Sequence, residues 1–195
     1  PFIDSLRAAI PKTSVGIDLK VPTDEEIEET FRRLKDSPPK YKALWLLVAC
    51  GVRMEHAIEL LNSWDEKKLQ VAAGFCRYVL GLIKSSKACF FAYFPNELLP
   101  IIREFKSGPY PTTNRKRIWQ YAKSHDLVRP KYVRKWAYNK MIELGIPESV
   151  ADFIHGRASR SVGAQHYLDK ARQAEQYVPK FMDYLRELLR RAGWI

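Results

Sequence analysis

Near the C-terminal end of the chain, cations and one phenol recur at short intervals: Lys131-Tyr132-Val133-Arg134, then His155-Gly156-Arg157, then Gln165-His166-Tyr167. No carboxylate pair and no metal-ligand spacing accompanies them. The set suits a site that grips a phosphodiester and attacks it with Tyr167. An ordinary phenol has a pKa of about 10, so it needs nearby positive charge to ionise at neutral pH. The same charge stabilises a pentacoordinate phosphorus, which carries more negative charge than the ground state. Arginine suits the grip, because its planar fork meets two phosphate oxygens and stays charged. A lysine can instead hand a proton to the departing 5′-oxygen. Such a site needs a pair of arginines, a further cation or histidine, a mobile lysine and the tyrosine. It requires no metal and no cofactor.

The upstream chain must supply and position the missing parts. Tyr41 to Cys50 is almost wholly apolar and predicts a buried helix, which Gly51 ends. Arg53 follows at the junction with another helical face (Ala57, Ile58, Leu60, Leu61), beside the core, where a guanidinium needs partners. Those partners are either Glu55 or Glu59, or a phosphate. From Val71 the period changes to alternation, with Phe75 to Leu80 rich in aromatic and β-branched residues. Cys89 to Phe94 is a second such run. Between them Lys84-Ser85-Ser86-Lys87 breaks the pattern, which predicts a β-hairpin with a lysine at each end of its turn. Those lysines are either solvated or reach into a DNA groove.

The other elements read as helices. Thr23-Asp24-Glu25-Glu26 is a capping box for a helix to about Lys35. Asn96 caps a helix through Phe105, and Thr113 or Asn114 caps a basic helix through about Lys123. Pro130 opens a helix over Lys131 to Leu144 that carries Lys131 and Arg134 on one face. Pro147 starts a short helix that stops at Gly156. A short helix is expected over Ser159 to Tyr167, and a last amphipathic one over Ala171 to Ala192. The apolar face of that last helix packs on its own domain or on a neighbouring protomer. The predicted fold is mainly α with a small antiparallel β-hairpin or sheet, an α+β class. Residues 1–22 read as a lead-in segment or linker, and 23–195 as one domain with its C-terminal helix at 171–192.

Composition agrees with a polyanion partner. The chain has 195 residues and a net charge of +11, from 33 Lys and Arg against 22 Asp and Glu. Neutralising phosphates releases condensed counterions, so a basic domain gains from binding nucleic acid. The basic series is densest between Arg103 and Lys140, with Trp119, Tyr121, Tyr132, Trp136 and Tyr138 interleaved. Arg115, Lys116, Arg117, Lys123, Arg129 and Lys135 are the DNA-binding candidates. No apolar run reaches the roughly 18 residues of a membrane span. Cys50, Cys76 and Cys89 form no CxxC motif and lie in apolar surroundings, which predicts buried free thiols in a reducing compartment.

In this order the motifs resemble the catalytic domain of the tyrosine recombinases, or phage-type integrases. Gly51-Val52-Arg53-Met54-Glu55 is similar to that family's Gly-x-Arg-x-x-Glu, with the Glu one residue closer. The family's catalytic lysine at a hairpin turn matches Lys84, which closes the first strand, with Lys87 as the alternate. The usual His-x-x-Arg box is here Lys131-Tyr132-Val133-Arg134. The usual Gly-His box is Gly156-Arg157, followed by Tyr167 at a spacing one residue longer. These two substitutions, with Phe153-Ile154-His155-Gly156-Arg157 and Gln165-His166-Tyr167, look most like the integrases of archaeal spindle-shaped viruses and related archaeal plasmids. The likeness covers roughly residues 23–190.

The resemblance implies a site made of Arg53, Lys84, Lys131, Arg134, Arg157 and the nucleophile Tyr167. Lys131 then acts mainly as a phosphate contact, and Arg157 acts through its charge alone. His155 and His166 flank these positions as possible substitutes for the family's histidines. The resemblance further implies strand exchange on double-stranded DNA at attachment sites, through a 3′-phosphotyrosyl link and a Holliday junction. It implies a homotetramer in the synapse, monomeric or weakly associated without DNA, in the cytoplasm of the host cell. A type IB topoisomerase and a non-catalytic DNA-binding module are the alternatives.

Overall fold

A computed structural model describes residues 18–84, 87–107, 114–157 and 164–195; for 82–84, 87, 88, 107 and 164–168 the backbone alone is described. Among these residues the helices are α1 (Asp24–Leu34), α2 (Pro39–Ala49), α3 (Met54–Asn62), α4 (Leu98–Ser107), α5 (Arg115–Ser124), α6 (Pro130–Glu143), α7 (Glu148–Ile154) and α8 (Ala164–Arg191). A 3-10 turn (Glu66–Lys68) and three strands, β1 (Leu69–Ala72), β2 (Phe75–Lys84) and β3 (Lys87–Phe94), lie between α3 and α4. The class is α+β, as expected.

Helix α2 is the centre of the core. Ala43 through Cys50 are all fully buried, because α1, α3, α4, α6 and β3 each pack against it. A helix with no polar face has no stable place except inside. Helix α1 starts at the expected capping box: the Thr23 side chain accepts from the Glu26 N–H, and the Glu26 carboxylate accepts from the Thr23 N–H at 2.9 Å.

The sheet has one strand more than the expected hairpin. β1 pairs antiparallel with β2, and β2 with β3, in the order β1-β2-β3. β1 is only four residues long and largely exposed. The alternating run read from Val71 is divided between the end of β1 and β2, and β2 ends at Lys84, where the pattern breaks. A register shift between Val79 and Leu82 interrupts its pairing with β3. The strands meet at the pair Lys84 and Lys87.

The C-terminal segment differs too. The two expected helices, Ser159 to Tyr167 and Ala171 to Ala192, give way to one continuous helix from Ala164, which also contains Pro179. No breaker stands between Tyr167 and Ala171, so nothing stops the helix there. Its apolar face is covered by its own domain. Ala171, Ala174, Val178, Phe181, Met182, Leu185, Leu188 and Leu189 are buried, and α8 packs on α7, α1 and β2. Polar ties add to this anchorage. Asp24 accepts from Tyr184 at 2.7 Å, from Trp136 at 2.7 Å and from Lys140 at 3.0 Å. Arg186 pairs with Glu97 at 2.8 Å. Cys50, Cys76 and Cys89 are buried and unpaired. No helix among the described residues is long and apolar enough to cross a membrane.

Candidate active site

The site is built on two helix ends. After α2, Gly51 adopts φ +95°. Its N–H bonds to Val48 O, and Val52 N–H bonds to Leu47 O. After α7, Gly156 N–H bonds to Phe153 O and Arg157 N–H to Asp152 O, with Gly156 at φ +58°. Both are Schellman ends, where a glycine in the left-handed region closes the helix. Carbonyls at such ends lack helical partners and attract cations. Arginines from two further elements use them. On α6, Arg134 Nε donates to Gly51 O at 2.9 Å and Nη2 donates to His155 O. At the N-terminal end of α3, Arg53 Nη2 donates to Gly156 O at 3.3 Å.

Neither arginine has a carboxylate counter-ion among the described residues. Glu55 lies 3.8 Å from Arg115 instead. Burial lowers the Arg53 pKa, and the Arg157 charge lowers it further. Arg134 is pushed down to about 9, first by burial and then by repulsion from Arg53 and Arg157. The Arg53 Nε is buried without a hydrogen-bond partner among the described residues. Two partly desolvated guanidiniums, held among the described residues by neutral carbonyls, form a site that an anion would complete. Cys89 lies behind them, and burial pushes its thiol up to about 11, so it stays neutral.

Arg157 sits at the rim. Its guanidinium lies 4.0 Å from the Tyr138 ring centroid and 3.7 Å from Asp152. His155 is fully buried, edge-on to Tyr138, and neither ring nitrogen has a hydrogen-bond partner among the described residues. Burial, then the charges of Arg134, Arg157 and Arg53, hold its pKa well below the ordinary value, so the ring is neutral. Its face presses on Gly51: a Cβ added there would lie 2.9 Å from both His155 Cδ2 and Nε2. His155 is therefore packed between Gly51 and Tyr138.

Lys131 is exposed at the mouth. Its ammonium donates to Asp18 Oδ2 at 2.6 Å, and Lys135 donates to the Asp18 carbonyl. The Asp18 hydrogen bond raises the Lys131 pKa, so Lys131 stands as a charged donor. A cleft of about 350 Å³ joins Arg53, Lys131 and Arg134 to Arg115, Trp119 and Arg129. Of the other basic candidates, Lys116, Arg117 and Lys123 are exposed along α5. The backbone of Lys84 ends β2 and that of Lys87 opens β3. Tyr167 and His166 fall in the first turn of α8. The side chains of these four lie outside the described residues.

Two partners of the site were invisible in the sequence. Asp18 sits in a segment read only as a lead-in. Trp119 is one of the interleaved aromatics, but its place between Arg115 and Arg129, from different elements, depends on the fold.

A cleft with five basic side chains against one carboxylate suits an anionic partner. A family model described as archaeal phage integrase matches residues 19–184, and the chain belongs to that family. None of the curated proteins matches it. Family membership gives the chain an integrase role, acting on DNA in recombination.

Proposed function

We propose that this domain is a tyrosine recombinase that cuts and rejoins DNA at attachment sites to integrate or excise a mobile element. The observation that carries the reading is the pair Arg53 and Arg134, half-buried, oriented by the Gly51, His155 and Gly156 carbonyls and without a carboxylate counter-ion among the described residues. A scissile phosphate supplies the missing negative charge. Its non-bridging oxygens take the free guanidinium N–H groups, Lys131 adds a third contact at the mouth, and Arg157 adds charge from the rim.

Tyr167 Oη then attacks phosphorus in line. The new bond is a 3′-phosphotyrosyl ester, the bond to the 5′-oxygen breaks, and the phenolic proton leaves to solvent. Lys84 protonates the departing 5′-oxygen. A proton supplied there matters because an alkoxide is a poor leaving group. The 5′-hydroxyl of a second strand reverses the step, so the bond energy is conserved and no nucleotide triphosphate is consumed. Two rounds of exchange among four protomers pass through a Holliday junction, on DNA in the host-cell cytoplasm.

The test is a suicide duplex nicked next to the cleavage position, so that a short fragment diffuses away after attack. The wild-type chain should form a covalent protein–DNA band that vanishes in Tyr167→Phe. Absence of any band while DNA remains tightly bound would sink the proposal. Joining between two separate duplexes then distinguishes a recombinase from a relaxing enzyme.

A further inference from the structure

We infer that Trp119, held between Arg115 and Arg129, is a stacking subsite for an unstacked nucleobase next to the scissile phosphate. The inference rests on reading the cleft as a DNA phosphodiester site, and it says what kind of DNA that cleft prefers.

Trp119 is 49% exposed, whereas its helix neighbours Ile118 and Ala122 are buried. So α5 turns Ile118 and Ala122 to the core and sets Trp119 on the flank of that face, where it lines the cleft. The Arg115 guanidinium lies 5.7 Å from the Trp119 ring and that of Arg129 lies 5.4 Å from it. Arg115 is on α5 and Arg129 caps α6, so two elements hold the indole. The Arg129 side chain has no carboxylate partner among the described residues. The cleft carries five basic side chains (Arg53, Arg115, Arg129, Lys131, Arg134) against one carboxylate, Glu55. Its charge suits phosphate, and its aromatic suits a π-face.

A paired, stacked base offers only its edges, because its faces are covered by its neighbours. An indole beside a phosphate grip can therefore stack on a base only where the stack is interrupted. Base–aromatic stacking accepts any base, and flanking arginines strengthen it by cation–π attraction. A strand end freed by cleavage is such an interruption. The subsite would hold that end near the reaction centre without reading sequence.

The test uses the whole 195-residue chain in a Tyr167→Phe background, so that binding is measured without cleavage. The probe is a nicked duplex with 2-aminopurine beside the nick, either fully paired or unpaired opposite a gap. Stacking on the indole should quench the unpaired probe. Trp119→Leu should abolish that quench and weaken the unpaired probe about tenfold more than the paired one, while Trp119→Phe keeps most of the preference. Equal weakening of both probes, or no quench with the parent chain, would overturn the inference. Failure of the recombinase reading shows separately, as a missing covalent band from the chain with Tyr167 intact.

Discussion

Replacing Gly51 with alanine should damage the site from behind, without touching any charged group. Gly51 sits at φ +95°, a region that costs an L-residue about 1–2 kcal/mol. The added Cβ would also meet His155 Cδ2 and Nε2 at 2.9 Å, well inside van der Waals contact. His155 is fully buried and cannot simply swing away. Overpacking of that kind costs about 1–3 kcal/mol. Together the two effects predict a loss of about 2–5 kcal/mol in urea unfolding. The chemistry should suffer too. The Gly51 carbonyl aligns Arg134 Nε, and the His155 carbonyl aligns Arg134 Nη2, so a shift at this contact moves one guanidinium by both of its anchors. Suicide-substrate cleavage should fall by at least tenfold under conditions where the variant remains folded. A double-mutant cycle isolates the steric part: His155→Ala in the Gly51→Ala background should recover about 1 kcal/mol or more relative to the sum of the single effects. If Gly51→Ala unfolds at the wild-type urea concentration and cleaves normally, the packing account is wrong.

Asp18→Asn should loosen the hold on Lys131, whose partner is the Asp18 carboxylate, while Lys135 keeps the backbone carbonyl, and should tighten binding to a nicked duplex about two- to fivefold at low salt, as seen by fluorescence anisotropy; unchanged or weaker binding would show that Asp18 does not compete with DNA. For Arg134 the sign runs from its lowered pKa. In the free protein the charged form is disfavoured by burial and by neighbouring cations, and a bound anion favours it again. Sulfate or DNA binding should therefore take up a proton as pH passes about 9, and affinity should decline above that point; a flat profile from pH 8 to 10.5 by calorimetry would contradict this. Lys84→Ala should slow cleavage by about 10²- to 10⁴-fold, and a substrate whose 5′-bridging oxygen is replaced by sulfur should restore most of the rate, because a thiolate leaves without a proton. Lys87→Ala should do neither; the reverse pattern would move the role to Lys87. Lys131→Gln should lower the slope of log affinity against log salt by about one, as loss of one phosphate contact requires.

Much of the fold was legible because its signals are local. A capping box starts α1, prolines open α6 and α7, and glycines close α2 and α7. The position of Arg53 could be read because a glycine follows an apolar run. What held Arg53 could not. The sequence left a choice between carboxylates and phosphate, while the structure uses the Gly156 carbonyl, 103 residues away. The hairpin was visible through alternation, and its first strand ends at Lys84 as read, but the run from Val71 concealed the turn that separates the short, exposed β1 from β2. His155 illustrates the same limit. Its type suggested a stand-in for the family's histidine; the structure buries it against Gly51, and burial depends on which elements meet. The resemblance supplied the order of motifs, and the family match over residues 19–184 agrees with it.

The central claim is that Tyr167 takes the phosphate. Its most direct measurement is peptide mapping of the covalent adduct formed with a nicked suicide duplex. After nuclease and protease digestion, mass spectrometry should find the nucleotide remnant on the peptide containing Tyr167, joined through a 3′-phosphate. An adduct on any other residue, a 5′-phosphate linkage, or bound DNA with no adduct would contradict the account.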